Sequence, residues 1–279
     1  MNTGKEVEQI AEQYGIDLRN LKGSGKNGEI LISDIEEYVK EKYLPKVRKE
    51  VKISGIRKVI AERLTKSYME AVHVTENMEV KMGKFAKTRD ELSKKLQTKP
   101  SFTVLMLKCI AKALRDFIDL NASIQEDKII IYDTININLA VESPLGLITP
   151  VIRDVDRKRL EQLLVDYRDI IERSQKNELK EKDFIGGTFT VTNLGMYNVD
   201  FFNPIINPPQ VSILGLNRIV EKPVVEGTQV KIDKVMTLSL TFDHRVIDGA
   251  LAAKFLDRIR YYLENPEKIL VIQEEVKNI

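Results

Sequence analysis

Apolar positions recur along the chain with two spacings, one typical of helices and one typical of strands. Helical spacing predicts helices over 55–71, 84–97, 102–119, 158–178 and 249–264. Alternating or continuous apolar runs predict strands over 73–81, 128–141, 147–153, 187–193, 210–216 and 229–242. Because helices and strands are mixed without a strict βαβ rhythm, we expect a domain of the α/β or α+β class over residues 51–279.

The first forty residues follow a pattern of their own. Val7, Ile10 and Ala11 are spaced as on one face of a helix, and Ser33 followed by Glu36 has the spacing of a capping box at the start of a second helix. We therefore predict a small all-α domain over residues 3–40. The charged, Pro-containing segment 41–50 is predicted to be a linker.

A glycine-rich loop connects the two short helices. Residues 23–28 match G-x-G-x-x-G, a pattern that also occurs in dinucleotide sites. A dinucleotide site needs a strand before the loop, a full helix after it and an acidic residue about 20 positions on. Here a helix precedes the loop, which favours a structural role in which glycines allow tight turns.

Composition narrows the functional classes. The 44 Lys and Arg residues nearly balance the 42 Asp and Glu residues, so the net charge of +2 disfavours a nucleic-acid partner. One cysteine and two histidines exclude a disulfide within the chain and a Cys-rich or His-rich metal centre, and we expect no metal. There is neither an apolar run of membrane-span length nor the apolar core of a signal peptide, which predicts no membrane association and a cytoplasmic location.

One of the two histidines lies in a distinctive motif. His244 follows an apolar strand in D-H-R-x-x-D-G, with Asp243 before it, Arg245 after it and Asp248 four positions on. A histidine at a strand-to-helix turn can be held rigidly and still face a substrate. The alternative is a structural turn with a surface ion pair.

The larger domain resembles a known enzyme family. The segment L-S-L-T-F-D-H-R-V-I-D-G-A over residues 238–250 resembles the active-site signature of the dihydrolipoamide acyltransferases, whose relative is chloramphenicol acetyltransferase. Companion motifs match in the same order, and the resemblance covers roughly residues 51–270. They are I-R-K-V-I-A-E-R-L (56–64), A-V-H-V-T (71–75), G-L-I-T-P-V-I-R-D (146–154), G-G-T-F-T-V-T-N-L-G (186–195) and I-I-N-P-P-Q (205–210).

The small domain resembles a second family. Residues 15–35, with G-I-D-L and G-S-G-K-N-G-E-I, resemble the peripheral subunit-binding domain of 2-oxo acid dehydrogenase complexes. In that family the domain docks the 2-oxo acid decarboxylase or the dihydrolipoyl dehydrogenase through basic residues, typically on its first helix. Here the first helix is largely acidic, and Arg19, Lys22 and Lys26 remain as the expected anchors.

The resemblance implies transfer of an acyl group between the thioester of a dihydrolipoyl group and the thiol of coenzyme A. It assigns His244 as the base that forms the thiolate, since a thiol with a pKa near 8.5 is mostly protonated at neutral pH. It assigns the hydroxyl of Thr192, where most relatives have serine, as the donor to the oxyanion. Asp248 is expected either to be an active-site residue or to orient the loop by pairing with Arg245.

Other candidate residues receive roles from the same resemblance. Arg89 and Lys108 are expected to bind the phosphates of coenzyme A, although either side chain is also consistent with an ordinary exposed helix charge. His73 is the competing base, and we expect it to be structural. Cys109 lies within an apolar helical pattern and is expected to be buried core rather than a nucleophile.

The resemblance also implies partners. The family's active site forms between subunits of a homotrimer, and trimers assemble into larger cores through C-terminal contacts. The apolar residues 269–272 are suited either to such contacts or to packing within their own domain. No lipoylation motif is present, so the lipoyl group is expected on another domain or chain, either removed from this sequence or separate from it. Acetyl is the expected acyl group, with branched-chain groups possible. The alternatives are a non-catalytic scaffold and a transferase for a small diffusible acceptor.

Overall fold

The computed structural model describes residues 4–144 and 146–270, and the chain divides into a unit over Met1–Ile53 and a unit over Ser54–Ile279. None of the described helices combines the length and the apolar character needed to cross a membrane. The helices are α1 (Gly4–Gln13), α2 (Ile32–Lys42), α3 (Gly55–Glu70), α4 (Gly83–Leu96), α5 (Phe102–Asp116), α6 (Leu160–Gln175) and α7 (Gly249–Glu264). The strands are β1 (His73–Lys81), β2 (Ala122–Gln125), β3 (Lys128–Ile131), β4 (Ile137–Leu139), β5 (Val141–Ser143), β6 (Gly146–Ile148), β7 (Val151–Ile152), β8 (Phe189–Asn193), β9 (Ser212–Glu226) and β10 (Gln229–Asp243).

The first unit is built on two helices around a small apolar core. Val7 and Ala11 of α1 pack with Ile16 and with Ile35 of α2, which is fully buried. Four buried side chains make a small core, as expected for a domain close to the lower size limit for folding without metal or disulfide.

The glycine loop of this unit is fastened to Asp34. The Asp34 carboxylate accepts hydrogen bonds from the N–H groups of Ser24 (2.9 Å) and Leu31 (2.8 Å). The predicted cap at Ser33 is therefore wrong, because α2 begins at Ile32 and the carboxylate of Asp34 satisfies the amide that precedes it. An acidic side chain on the loop amides also favours the structural role of the loop over phosphate binding.

The second unit contains a six-stranded mixed sheet in the order β1-β10-β9-β8-β4-β7. The strand pairs β1–β10, β10–β9 and β4–β7 are antiparallel, whereas β9–β8 and β8–β4 are parallel. Two-stranded pairings of β2 with β3 and of β5 with β6 complete the described strands. The predicted α/β class, with a mixed sheet and helices, is confirmed.

The two faces of the sheet differ in chemistry. Along β10, Leu238, Leu240 and Phe242 belong to the main apolar core, to which α4, α5, α6 and α7 contribute their buried side chains. The alternate positions Ser239 and Thr241 are equally buried but face the other side. One face is therefore closed by apolar packing, and the other must satisfy its polar groups by hydrogen bonds.

The predicted helices of this unit are confirmed to within a few residues, but three strand predictions need correction. The strand predicted over 147–153 is divided into β6 and β7, which pair with different strands. The strand predicted over 128–141 is interrupted because Asn121 donates its side-chain amide to the carbonyls of Tyr132 and Thr134, both at 2.8 Å. The strand predicted over 210–216 continues as far as Glu226. Beyond Leu216 it pairs only with β10, and such an edge tolerates a proline such as Pro223.

A buried amide network lies against β8. The Asn138 side chain donates to the carbonyl of Thr149 (2.8 Å) and accepts from Gln210 (2.7 Å), while Gln210 accepts from the Thr190 hydroxyl (2.5 Å). A Cβ at Gly187 would lie 1.8 Å from Oδ1 of Asn138. The glycine of the G-G-T-F-T motif is thus required by the side chain that packs on its Cα.

Gly187→Ala is expected to lower the free energy of unfolding by about 1–3 kcal/mol, because the added methyl displaces the Asn138 amide and leaves its buried partners unsatisfied. Denaturant unfolding of the wild type and the variant measures the difference. In an Asn138→Ala background the same substitution should cost clearly less, since the clashing side chain is gone. An equal cost in both backgrounds would contradict this explanation.

Candidate active site

His244 lies in the turn that joins β10 to α7. Its backbone N–H donates to the carbonyl of Val72 (2.9 Å), which immediately precedes β1, while its side chain is exposed. The imidazole is 5.8 Å from the ring of Phe242, measured between centroids. The histidine is therefore held through its backbone and left open at its ring.

The residues on either side of His244 form an ion pair with each other. The Asp243 carboxylate accepts hydrogen bonds from Nε of Arg245 at 3.0 and 3.1 Å and from Nη2 at 2.6 Å. It also accepts the backbone N–H of Arg245 at 3.1 Å. Burial raises the pKa of Asp243, but the hydrogen bonds and the charge of Arg245 outweigh it, so the pKa of this carboxyl lies below its ordinary value.

Asp248 is the N-cap residue of α7. Its backbone carbonyl accepts from the N–H groups of Leu251 and Ala252, both at 3.0 Å, while its carboxylate is exposed and caps no helix amide. The predicted pairing of Asp248 with Arg245 is wrong, because the guanidinium bonds to Asp243. Asp243 is only two residues from Arg245, so less of the backbone must be ordered for it to meet the guanidinium than for Asp248, which lies beyond the turn.

Glu76 is an acidic neighbour of the turn that sequence reasoning missed. It projects from β1 on the same side as Val74 and Met78, and its Oε1 lies 3.1 Å from the position a Cβ would take on Gly249. Burial raises the pKa of Glu76, and the nearby His244 lowers it by a smaller amount. A glutamate among apolar positions of an alternating strand is the sequence signal that points to it.

Thr192 lies half-buried in β8, in the part of the sheet away from His244. Parallel pairing sets it beside Gly215, and antiparallel pairing sets Gly215 beside Ser239 of β10. His244 is five residues beyond Ser239, so at about 3.3 Å per residue roughly 16 Å separates the two levels along the strands. One chain therefore does not bring the hydroxyl and the imidazole to the same reacting group.

This combination of a mixed sheet, a histidine at the end of a long interior strand and a small helical unit agrees with the families that the chain matches. The acyltransferase catalytic domain of 2-oxoacid dehydrogenases matches residues 45–271, and the e3 binding domain matches residues 7–36. The chain belongs to the 2-oxoacid dehydrogenase acyltransferase family. The predicted family, with both of its domains, is confirmed.

Named relatives cover most of this acyltransferase. The dihydrolipoyllysine-residue acetyltransferase component of the pyruvate dehydrogenase complex of Rickettsia felis is 33% identical over 276 residues, which are 95% of this chain and 67% of the relative. The chain thus spans about two thirds of that relative's length.

Solved structures give the same fold. The Azotobacter vinelandii dihydrolipoamide acetyltransferase, studied for the roles of a serine, a histidine and an asparagine in its catalytic mechanism, is 31% identical with a TM-score of 0.76. The match covers 82% of this chain and 99% of the solved chain. A truncated catalytic core of the 2-oxoacid dehydrogenase multienzyme complex of Thermoplasma acidophilum is 31% identical with a TM-score of 0.73, over 78% of this chain and 99% of that one.

The second histidine of the acyltransferase has both ring nitrogens in contact with the backbone. Nδ1 of His73 is 3.1 Å from the carbonyl of Ala71, and Nε2 is 3.2 Å from the N–H of Ile206. The carbonyl requires a proton on Nδ1 and the N–H requires a lone pair on Nε2, which together favour one neutral tautomer. These contacts support the structural role predicted for His73.

Two basic residues predicted to bind coenzyme A make contacts within the chain. The ammonium of Lys108 donates to the carbonyls of Val155 (3.2 Å), Asp156 (2.8 Å) and Lys158, which uses all three of its protons, and burial lowers its pKa. The guanidinium of Arg89 donates to the Pro100 carbonyl at 2.7 Å. It also lies over the ring of Phe102, with its central carbon 4.4 Å from the ring centroid. These contacts favour structural roles, and a role in coenzyme A binding stays a prediction for both.

Cys109 and the question of metal complete the candidate groups. The Cys109 thiol is buried in the core, and burial raises its pKa well above the ordinary value, which makes it a poor nucleophile. Within residues 4–144 and 146–270, no group of three or more His, Cys, Asp or Glu side chains is arranged to hold a metal ion.

Asp243→Asn is expected to change how stability depends on pH. A carboxylate with a lowered pKa in the folded state contributes stability above its unfolded pKa, near 3.9, and loses it as the pH falls through the folded value. The wild type should therefore be more stable than Asp243→Asn at pH 6, and the difference should shrink towards pH 3. Denaturant unfolding at both pH values measures it. A difference that stays constant would show that the charge of Asp243 does not stabilise the fold.

Proposed function

We propose that this chain transfers an acetyl group between the dihydrolipoyl thioester and the thiol of coenzyme A. The observation that carries the proposal is His244, exposed at its ring and held through its backbone at a strand-to-helix turn in a chain of this family. The serine, histidine and asparagine studied in the Azotobacter enzyme have the same spacing along its chain as Thr192, His244 and Asp248 have here. That agreement supports the same three positions as the reacting site.

The reaction needs a general base, a hydrogen-bond donor to the oxyanion and two thiols. His244 takes the proton of the coenzyme A thiol, and the resulting thiolate attacks the carbonyl carbon of the acyl-dihydrolipoyl thioester. The Thr192 hydroxyl donates to the oxyanion of the tetrahedral intermediate. When the intermediate collapses, the bond to the dihydrolipoyl sulfur breaks and that sulfur takes the proton back from His244. No covalent enzyme intermediate is needed, so Cys109 has no part in the reaction.

Two positions differ from the Azotobacter enzyme in a conservative way. Thr192 stands where that enzyme has serine, and its hydroxyl keeps the donor while its methyl restricts the rotamer. Asp248 stands where that enzyme has asparagine and keeps an acceptor oxygen. We infer that Asp248 acts at the active site rather than through Arg245, whose guanidinium bonds to Asp243.

We infer that the site is shared between subunits of a homotrimer. The separation of Thr192 from His244 within one chain supports this arrangement, because the base must reach the attacking thiol and the donor must reach the carbonyl oxygen that this thiol attacks. Exposed apolar side chains on α3 also support an interface between subunits, because groups of such side chains typically mark a protein–protein contact. Val59, Tyr68 and Met69 are 60%, 66% and 79% exposed. Trimers would assemble into a larger core. Of the residues predicted for that contact, Ile269 and Leu270 pack on the main apolar core of their own chain, and Val271 and Ile272 lie outside the described residues.

Further partners follow from the small unit and the chemistry. The match to the e3 binding domain supports docking of dihydrolipoyl dehydrogenase, the decarboxylase or both, through the predicted anchors Arg19, Lys22 and Lys26. Arg19 is exposed and paired with Asp17, its Nε lying 2.9 Å from Oδ1. The lipoyl group would arrive on another domain or chain. Arg89, Lys108 and a cytoplasmic location remain predictions.

The alternative of a non-catalytic scaffold lacks support at the residues that matter. Thr192, His244 and Asp248 all carry side chains with the functional groups that the reaction uses. The small helical unit also disfavours a transferase for a diffusible acceptor, because such an enzyme has no need of a docking domain.

His244→Ala should lower the turnover number by about 10²- to 10⁴-fold, because the thiol loses its base. The measurement is acyl transfer between acetyl-CoA and dihydrolipoamide, with assembly checked by analytical ultracentrifugation. His73→Asn is the matched control and should keep the turnover number of the folded protein. Near-normal turnover in His244→Ala would make the base assignment wrong.

Thr192→Val should lower turnover by about 10²- to 10³-fold, since valine keeps the shape and removes the donor to the oxyanion. Thr192→Ser should retain most of the rate. The same assay measures both variants. Equal rates for valine and serine at this position would exclude the hydroxyl from the mechanism.

Co-expression of His244→Ala with Thr192→Val tests the sharing of the site. If each site takes its imidazole from one chain and its hydroxyl from a neighbour, random mixing restores about one quarter of the sites. The co-expressed preparation as a whole should then show about one quarter of the wild-type rate per site, although each variant alone is nearly inactive. A mixture no more active than its two parents would contradict a shared site.

A further inference from the structure

The backbone and side-chain hydrogen bonds of Asp243 hold the next residue, His244, in position. Its backbone N–H donates to the carbonyl of Val211 (2.8 Å), which anchors the end of β10 beside β9. Its carbonyl accepts from the N–H groups of Val246 (2.9 Å) and Ile247 (3.0 Å), which closes the turn after His244.

The carboxylate of Asp243 joins two segments that are distant in sequence. It accepts from the N–H of Val72 (3.3 Å), and the carbonyl of the same Val72 accepts the N–H of His244 (2.9 Å). On its other side it holds the guanidinium and the backbone N–H of Arg245. The backbone of His244 is thus enclosed between a strand entry and an ion pair formed by its own two neighbours.

Stability alone gives a weak reason for this arrangement. The Asp243 side chain is 3% exposed and that of Arg245 is 46% exposed, so one charge of the pair is almost completely desolvated. Buried ion pairs typically stabilise a fold no better than apolar residues of similar volume, and their best-attested use is to select one geometry. The geometry selected here is that of the turn carrying His244.

The geometry points to Asp243 and Arg245 as positioning residues that fix the imidazole of His244 for proton transfer, which rests on the function proposed above. Neither side chain needs to touch the substrate. A general base must lie within hydrogen-bond reach of the proton it takes, and a displacement of about 1 Å can cost about 10²-fold in rate. Loosening the ion pair should therefore lower the rate of the chemical step rather than the affinity for either substrate.

A double-mutant cycle tests this role. Asp243→Asn should lower kcat about 10- to 100-fold with little change in KM for acetyl-CoA or dihydrolipoamide. In a His244→Ala background the same substitution should lower the residual rate no further, because a positioning residue acts only through the histidine. Asp183→Asn is the matched control, since Asp183 accepts the Arg173 guanidinium at 2.7 Å and a backbone N–H at 2.8 Å away from the turn. It should leave kcat per folded site unchanged.

Substitution of Arg245 covers the case in which Asp243→Asn folds poorly. Arg245→Gln should lower kcat strongly, and Arg245→Lys should recover part of the loss, because lysine keeps the charge but not the two-pronged geometry. Equal losses from Asp243→Asn or Arg245→Gln with and without His244, or a rise in KM at unchanged kcat, would overturn the positioning role. A His244→Ala variant with the wild-type rate would instead overturn the proposed function, and the positioning role with it.

Discussion

The structure depends on one long strand, β10, whose second half is buried on both faces. β10 lies between β1 and β9, and its apolar residues Leu238, Leu240 and Phe242 close the core beneath the helices. This packing allows the strand only one register, which also determines where the strand ends. His244 is the first residue after that end. The position of the His244 backbone thus depends on the packing of the strand and on the ion pair formed by its two neighbours, rather than on contacts made by the ring itself.

The opposite face of the same strand explains why the site is rich in hydrogen bonds. Hydroxyl and amide side chains occupy buried positions there, and two pairs of them join β1 to β10. Thr75 meets Thr241 at 2.7 Å, and Ser239 donates to Asn77 at 2.6 Å. Such networks are costly when they are incomplete, so they hold neighbouring strands in one relative position. A polar face of this kind is suited to the role proposed for the Thr192 hydroxyl.

Much of this account was predictable from the sequence, for physical reasons. Helix periodicity over α5 and α7 and the alternation of β1 depend on near neighbours, and the motif around His244 is local. What was missed involves partners distant in sequence. The interruption after β3 depends on the side chain of Asn121, and the approach of Glu76 to α7 depends on strand pairing. The carboxylate of Asp243 accepts a hydrogen bond from the backbone N–H of Val72, which is 171 positions away. Periodicity carries no information on such pairings.

The most direct test of the central claim is the steady-state rate of acyl transfer to dihydrolipoamide by the full chain, with acetyl-CoA, isobutyryl-CoA and succinyl-CoA compared at equal concentrations. The account predicts saturable transfer that is fastest from acetyl-CoA. Discrimination between the acetyl and isobutyryl donors should be modest, since a methylene group in an apolar pocket is worth only about 1–3 kcal/mol. Absence of transfer from all three donors, in protein shown to be folded and assembled, would contradict the account and favour a scaffold.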